Sequence, residues 1–157
     1  MKYKTKVYIF SVIFPLIIGA LSAFSTFGNM KTLFDDIAKP PLSPPMWLFP
    51  AVWSVLFILM GIGSEKVYLS PASKTRTYAL RLYLFNLFLN FFWSIIFFNF
   101  RAFLFAFIWL LALLAVIIPM AVNFYKCSRI SGLIQIPYIL WVTFAGYLTF
   151  AIWFLNK

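Results

Sequence analysis

The sequence predicts an all-α fold, an integral membrane bundle of five transmembrane helices with the N-terminus cytoplasmic and the C-terminus outside. Three observations predict it. Of 157 residues, 64% are hydrophobic and only 10% are charged, whereas a soluble domain carries about a quarter charged residues to cover its surface. Five long apolar runs follow one another, each near the roughly 20 residues needed to cross a hydrocarbon core of about 30 Å. The 13 lysines and arginines cluster between those runs, where they anchor against anionic lipid and set topology.

The first span is expected at 7–27. Lys2, Lys4 and Lys6 precede it, and Ala20-Leu21-Ser22 resembles a signal-peptide cleavage site; the apolar stretch is long for a signal sequence, which favours a retained helix. The second span is expected at 47–68, the third at 79–100, the fourth at 103–124 and the fifth at 133–155. Arg81 interrupts the third only at its edge, where its side chain can snorkel. The runs are continuously apolar instead of alternating, which argues against a β-barrel. No repeat or second domain is visible, so 1–157 reads as one transmembrane domain.

Direction follows from the basic residues. Lys2, Lys4, Lys6, Lys66, Lys74, Arg76, Arg81, Lys126 and Arg129 fall on one side, and Lys31, Lys39, Arg101 and Lys157 on the other. The richer side is expected in the cytoplasm of a multi-pass cell-membrane protein. The long first connection, 28–46, then lies outside. It carries Asp35 and Asp36 and the run Lys39-Pro40-Pro41-Leu42-Ser43-Pro44-Pro45, whose prolines enforce a stiff extended path. A lid over the bundle is expected there.

The composition also excludes chemistries. The net charge of +10 does not point to nucleic acid, because no basic stripe is interleaved with exposed aromatics. Histidine is absent, and the only carboxylates are Asp35, Asp36 and Glu65. No metal site, hydrolytic site or required cofactor is expected, and Cys127 has no histidine to activate it.

Polar residues inside apolar spans mark the protein interior. Asn86, Asn90 and Trp93 share a face of the third span. Tyr138, Trp141, Ala145 and Thr149 form a stripe on the fifth, Trp53, Phe57, Met60 and Ser64 one on the second, and Gly19, Ser22 and Thr26 a small polar line on the first. Helix–helix packing explains much of this, above all for Ser22, Thr26, Ser64, Thr149, Gly61 and Gly63. Trp47, Trp109 and Trp153 read as interfacial or lipid-facing bulk. Trp53, Trp93 and Trp141 share stripes with small or polar residues. Together with the amides they suit a pocket for a flat, conjugated, mostly apolar ligand, oriented by Asn90. A pocket touching both Trp53 and Trp141 would be elongated along the membrane normal. Kinks at Pro15, Pro119 and Pro137 are expected to shape it.

Three segments carry a family resemblance. Lys39–Pro45 followed by Phe49-Pro50-Ala51-Val52-Trp53-Ser54-Val55-Leu56-Phe57 and Met60-Gly61 resembles KPxWxPP…FxxVWxxLYxxMG of the tryptophan-rich sensory protein family, also called translocator protein, TspO/MBR or peripheral-type benzodiazepine receptor. Leu89-Asn90-Phe91-Phe92-Trp93-Ser94 and Ile136-Pro137-Tyr138 through Tyr147-Leu148 are similar to two further segments in the same order. The chain departs from the pattern at Leu42, Asn86 and Thr149. The resemblance implies a receptor or sensor that binds protoporphyrin and haem, with sterol-like or benzodiazepine-type molecules as further ligands, and light-dependent porphyrin degradation to which Trp53 and Trp141 correspond. The ligand-binding set it implies, read with the stripes, is Ser22, Pro40, Pro41, Trp53, Phe57, Asn86, Asn90, Trp93, Tyr138, Trp141 and Ala145. Two other classes stay open at this point, a transporter of tetrapyrroles or other amphipathic solutes and a ligand-free assembly subunit. The Ala102-xxx-Ala106 pair would support a homodimer.

Overall fold

A computed structural model describes residues 2–157. Five helices long and apolar enough to span a membrane form the bundle, and the protein is a multi-pass, membrane-embedded helical protein. In chain order α1 is Lys2–Asp36, α2 Leu48–Tyr68, α3 Lys74–Ser94, α4 Phe103–Cys127, the short α5 Arg129–Leu133 and α6 Ile136–Leu155. A π-helical turn, Ile95–Asn99, prolongs α3, and α5 with α6 makes the fifth span.

The first helix does not stop at Phe27 but runs to Asp36. Gly28 does not adopt the positive φ of a helix-ending glycine, and no proline arrives until Pro40, so nothing in the sequence breaks the ladder earlier. Its 35 residues extend for roughly 52 Å at 1.5 Å each, so α1 projects beyond the hydrocarbon core. The connection after it is therefore much shorter than the lid-like loop expected over 28–46. The third helix begins at Lys74 instead of Ala79, because Ser73 caps it by accepting the Arg76 backbone N–H at 3.0 Å.

Packing runs α2–α1–α3–α4–α6, with α5 also lying against α2 and α4. Side chains close the remaining gap between α2 and α6, through Trp53 against Tyr138 at 6.2 Å and Phe49 against Trp141 at 5.9 Å between ring centroids. The inward residues of α1 are Pro15, Ser22, Thr26 and Leu33, a narrow seam at spacings of seven and four. On α4 they are Ala106, Leu110, Leu113, Ile117, Met120, Ala121 and Phe124. Ala106 is fully buried inside this chain, so that half of the Ala102-xxx-Ala106 pair packs within the bundle itself, while Ala102 is half-buried.

Close backbone approach holds α1 to α2. A methyl group on Gly61 would lie 2.5 Å from the Ser11 carbonyl oxygen and 2.6 Å from the Val12 Cα. Pro15 supplies no N–H to the Ser11 carbonyl four residues earlier. The bulk-free surface of Gly61 leaves room for that carbonyl. Gly63 likewise lies against Gln135 and Ser131. Trp109 is not simple lipid-facing bulk, since its indole N–H donates to the Leu89 carbonyl on α3 at 2.7 Å.

The π turn has a local consequence. The Ile95 N–H bonds to Phe92, which leaves the Phe91 carbonyl without the partner a regular helix would provide. Ser22 on α1 donates its hydroxyl to that carbonyl at 3.2 Å. The extra residue in this turn also brings Phe97 and Phe98 inward, both buried.

Candidate ligand cavity

A cavity of about 90 Å³ lies between α1, α2 and α3, lined among others by Gly19, Ser22, Trp53, Phe57, Asn90 and Trp93. Each helix contributes one face at helical spacing. The Trp53 and Trp93 rings stand 6.5 Å apart with 35° between planes, and Trp53 also meets Phe57 at 5.7 Å. Trp93 stacks on Phe97 at 5.4 Å and 24°. Its indole N–H is buried without a protein acceptor.

Behind the rings lies a hydrogen-bond chain. The Tyr138 hydroxyl accepts from the Asn90 amide at 3.0 Å and donates to the Asn86 side-chain oxygen at 2.6 Å. The Asn86 amide in turn points at the Met60 sulfur at 3.7 Å. Asn86 and Tyr138 are thus one layer out from the cavity, and they set the orientation of Asn90. Buried polar groups in a membrane interior need such partners.

A second chamber of about 30 Å³ adjoins the first and is lined by Lys39, Ser43, Ala145, Leu148 and Thr149 among others. Phe49, Trp93 and Phe98 line both chambers, so these three rings form the partition between them. Phe34, on the small-chamber side, meets Phe49 at 5.7 Å and Phe98 at 6.3 Å, and the Lys39 ammonium lies 5.6 Å from the Phe34 ring centroid.

Of the residues singled out in the sequence, Ser22, Trp53, Phe57, Asn90 and Trp93 come together at the main cavity, and Ala145 at the small chamber. Trp141 does not share an enclosed space with Trp53. It faces an open apolar groove between α2 and α6 with Val52, Val55, Pro137 and Leu140, and Phe49 stands against it at 5.9 Å. Pro40 and Pro41 lie in the connection between α1 and α2 and line neither chamber; the Pro41 carbonyl accepts the Tyr147 hydroxyl at 3.1 Å. Leu42, where the family motif has tryptophan, is 78% exposed with φ of 68°, a left-handed conformation that is unfavourable for a branched side chain. Thr149 turns its hydroxyl back onto the Ala145 carbonyl at 2.7 Å.

The sequence reading missed Phe49, Phe98 and Met30. Phe49 precedes Trp53 by four residues and so continues the stripe Trp53, Phe57, Met60 by one turn. Phe98 carried no comparable signal, because the π turn shifts it off the period of α3.

A family model described as the TspO/MBR family matches residues 11–154. The chain belongs to the TspO/MBR family. It is 33% identical over 150 residues to the tryptophan-rich protein TspO of Archaeoglobus fulgidus, covering 93% of this chain and 94% of the relative. It is 35% identical over 124 residues to protein CrtK of Rhodobacter capsulatus, covering 78% of each. With the translocator protein of Bos taurus it shares 31% identity over 141 residues, 88% of this chain and 83% of that protein. The three segments quoted above lie within the region matched to this TspO/MBR family.

Proposed function

We propose that this TspO/MBR protein is a receptor or sensor that binds porphyrins, protoporphyrin and haem, between Trp53 and Trp93. The observation that carries the reading is the buried Trp93 indole, whose N–H has no protein acceptor and which lines the cavity beside Trp53, 6.5 Å away between ring centroids. Indole faces suit a flat conjugated ring, and an unpaired buried donor suits a ligand that brings an acceptor. Lys39 at the small chamber supplies the one cation for a ligand carboxylate. With no histidine in the chain, recognition rests on the macrocycle and not on imidazole ligation of iron. Sterol-like or benzodiazepine-type molecules are ligands of the same apolar cavity in this reading.

At about 90 Å³ the cavity is smaller than the roughly 300–1,000 Å³ of sites that enclose drug-sized ligands. Joining it to the chamber of about 30 Å³ behind Phe49 and Phe98 still leaves the space below that range, so a tetrapyrrole enters only as α1, α2 and α3 move apart around Trp53 and Trp93. The excess of basic residues near the N-terminus of α1 and at the α2–α3 and α4–α5 connections supports a cytoplasmic N-terminus in the cell membrane, so that the cavity opens toward the outer face.

Titrating the purified protein in detergent with protoporphyrin is expected to quench tryptophan fluorescence saturably. Asn90→Ala removes one neutral hydrogen bond of the supporting chain and is expected to weaken binding about fivefold. Quenching that rises linearly without saturating contradicts the proposal.

A further inference from the structure

A second cavity, of about 480 Å³, opens at the opposite end of the bundle between the N-terminal half of α1, the end of α2 and the start of α3. Its volume falls within the range of small-molecule sites, and it shares no lining residue with the tryptophan cavity. Hydrogen bonds tie α1 to α3 and its π turn farther along the bundle. Ser22 donates to Phe91, Asn29 donates to Asn99, and Asn99 donates to the Ser25 carbonyl, all from the second half of α1.

On α1 the lining runs from Tyr3 to Phe14, eleven steps or roughly 16 Å along the axis. A space that follows α1 over that length suits an extended chain. Phe10, Phe14, Leu80 and Leu84 make its walls apolar, Lys6 is the one charged lining residue, and no carboxylate lines it. Arg76 stands beside the mouth, donating to the Ser70 carbonyl at 2.8 Å at the end of α2. Deeper in lies Tyr83, 4% exposed, whose buried hydroxyl makes no well-aligned hydrogen bond and has Ser64 as its polar neighbour. Its neighbour Ser64 gives its own proton to the Gly61 carbonyl at 2.9 Å.

We infer that this cleft binds a long-chain carboxylate, with the headgroup on Lys6, the chain along α1, and Tyr83 donating to an oxygen carried within the chain. The cation at a lipid-level mouth selects an anionic head, and each buried methylene adds apolar stabilisation. The Tyr83 hydroxyl, whose neighbour Ser64 already gives its own proton to Gly61, gains a better-placed acceptor from an oxygen within the chain, so hydroxy- or oxo-substituted chains are favoured over plain ones. The site is independent of porphyrin binding.

The test uses the full chain in phosphatidylcholine nanodiscs with a diazirine-bearing palmitate, mapping crosslinks by mass spectrometry. Labelling is expected on the Val7–Phe14 stretch of α1 and the Leu80–Leu84 stretch of α3, competed by stearate. Hydroxystearates are expected to compete more strongly, and Tyr83→Phe to abolish that advantage while plain stearate competes as before. Lys6→Gln, at an exposed position where folding is undisturbed, is expected to weaken labelling about fivefold. The methyl ester of the probe should label as weakly. Equal labelling by the ester, no effect of Lys6→Gln, or no difference between hydroxylated and plain chains overturns the inference. So does competition by phosphatidylglycerol as strong as that by stearate, which would make this a phospholipid site.

Discussion

The Tyr138 hydroxyl donates to the Asn86 side-chain oxygen at 2.6 Å, which joins α6 to α3 at the centre of the bundle. Both residues are buried, at 1% and 0% exposure. The same hydroxyl accepts from Asn90, so one phenol organises both amides and determines how Asn90 meets the cavity.

Tyr138→Phe strands an acceptor on Asn86 and a donor on Asn90. Leaving buried groups unsatisfied costs about 1–3 kcal/mol, so the unfolding midpoint in a denaturing-detergent titration is expected to fall. Asn86→Leu combined with Tyr138→Phe removes both partners and is expected to lose less than the sum of the two single changes.

Gly61→Ala places a methyl 2.5 Å from the Ser11 carbonyl oxygen and 2.6 Å from the Val12 Cα. Both contacts are to backbone, so α1 and α2 must separate. Overpacking of this kind costs about 1–3 kcal/mol, measurable as a lower thermal midpoint in detergent. Gly28→Ala is the control, because a methyl there meets nothing within 4 Å, and within α1 it is expected to hold or slightly raise the midpoint.

The sequence made the bundle legible for a simple reason: lipid forces every span to be a long apolar run, and five such runs stand apart in this chain. Where a helix ends outside the apolar core was less legible. Asp35 and Asp36 look like loop, yet α1 continues through them because nothing breaks it before the prolines. The face holding Asn90 and Trp93 was readable from helical spacing. The position of Trp141 was not, since spacing places it on the stripe of Tyr138 and Ala145 but does not tell that α2 and α6 are held apart by Phe49 and Trp53. The π turn at Ile95–Asn99 left no sequence signal, and it is what brings Phe98 to the partition.

Phe49→Ala removes one of the three rings between the chambers. The merged space is expected to accept protoporphyrin faster, seen as a higher association rate in stopped-flow quenching, while loss of the Phe34 and Trp141 ring contacts costs about 3–5 kcal/mol at most in stability. An unchanged association rate would mean that the partition does not control entry.

Asn156 ties the first connection to the end of α6, accepting the Ala38 N–H at 2.9 Å and donating to the Ala38 carbonyl at 2.9 Å. Asn156→Ala frees that connection above the small chamber. Because the bonds are exposed, global stability is expected to change by under about 1 kcal/mol, whereas proteolytic nicking of residues 37–47 and the rate of porphyrin release are both expected to rise.

The most direct measurement compares porphyrin quenching in two double variants, Trp53→Phe with Trp93→Phe and Trp141→Phe with Trp153→Phe. Retention of saturable, wild-type-affinity quenching in the second and its loss in the first is the predicted result. Saturable binding that survives without Trp53 and Trp93 but disappears with Trp141 would contradict the assignment of the ligand to the space between α1, α2 and α3.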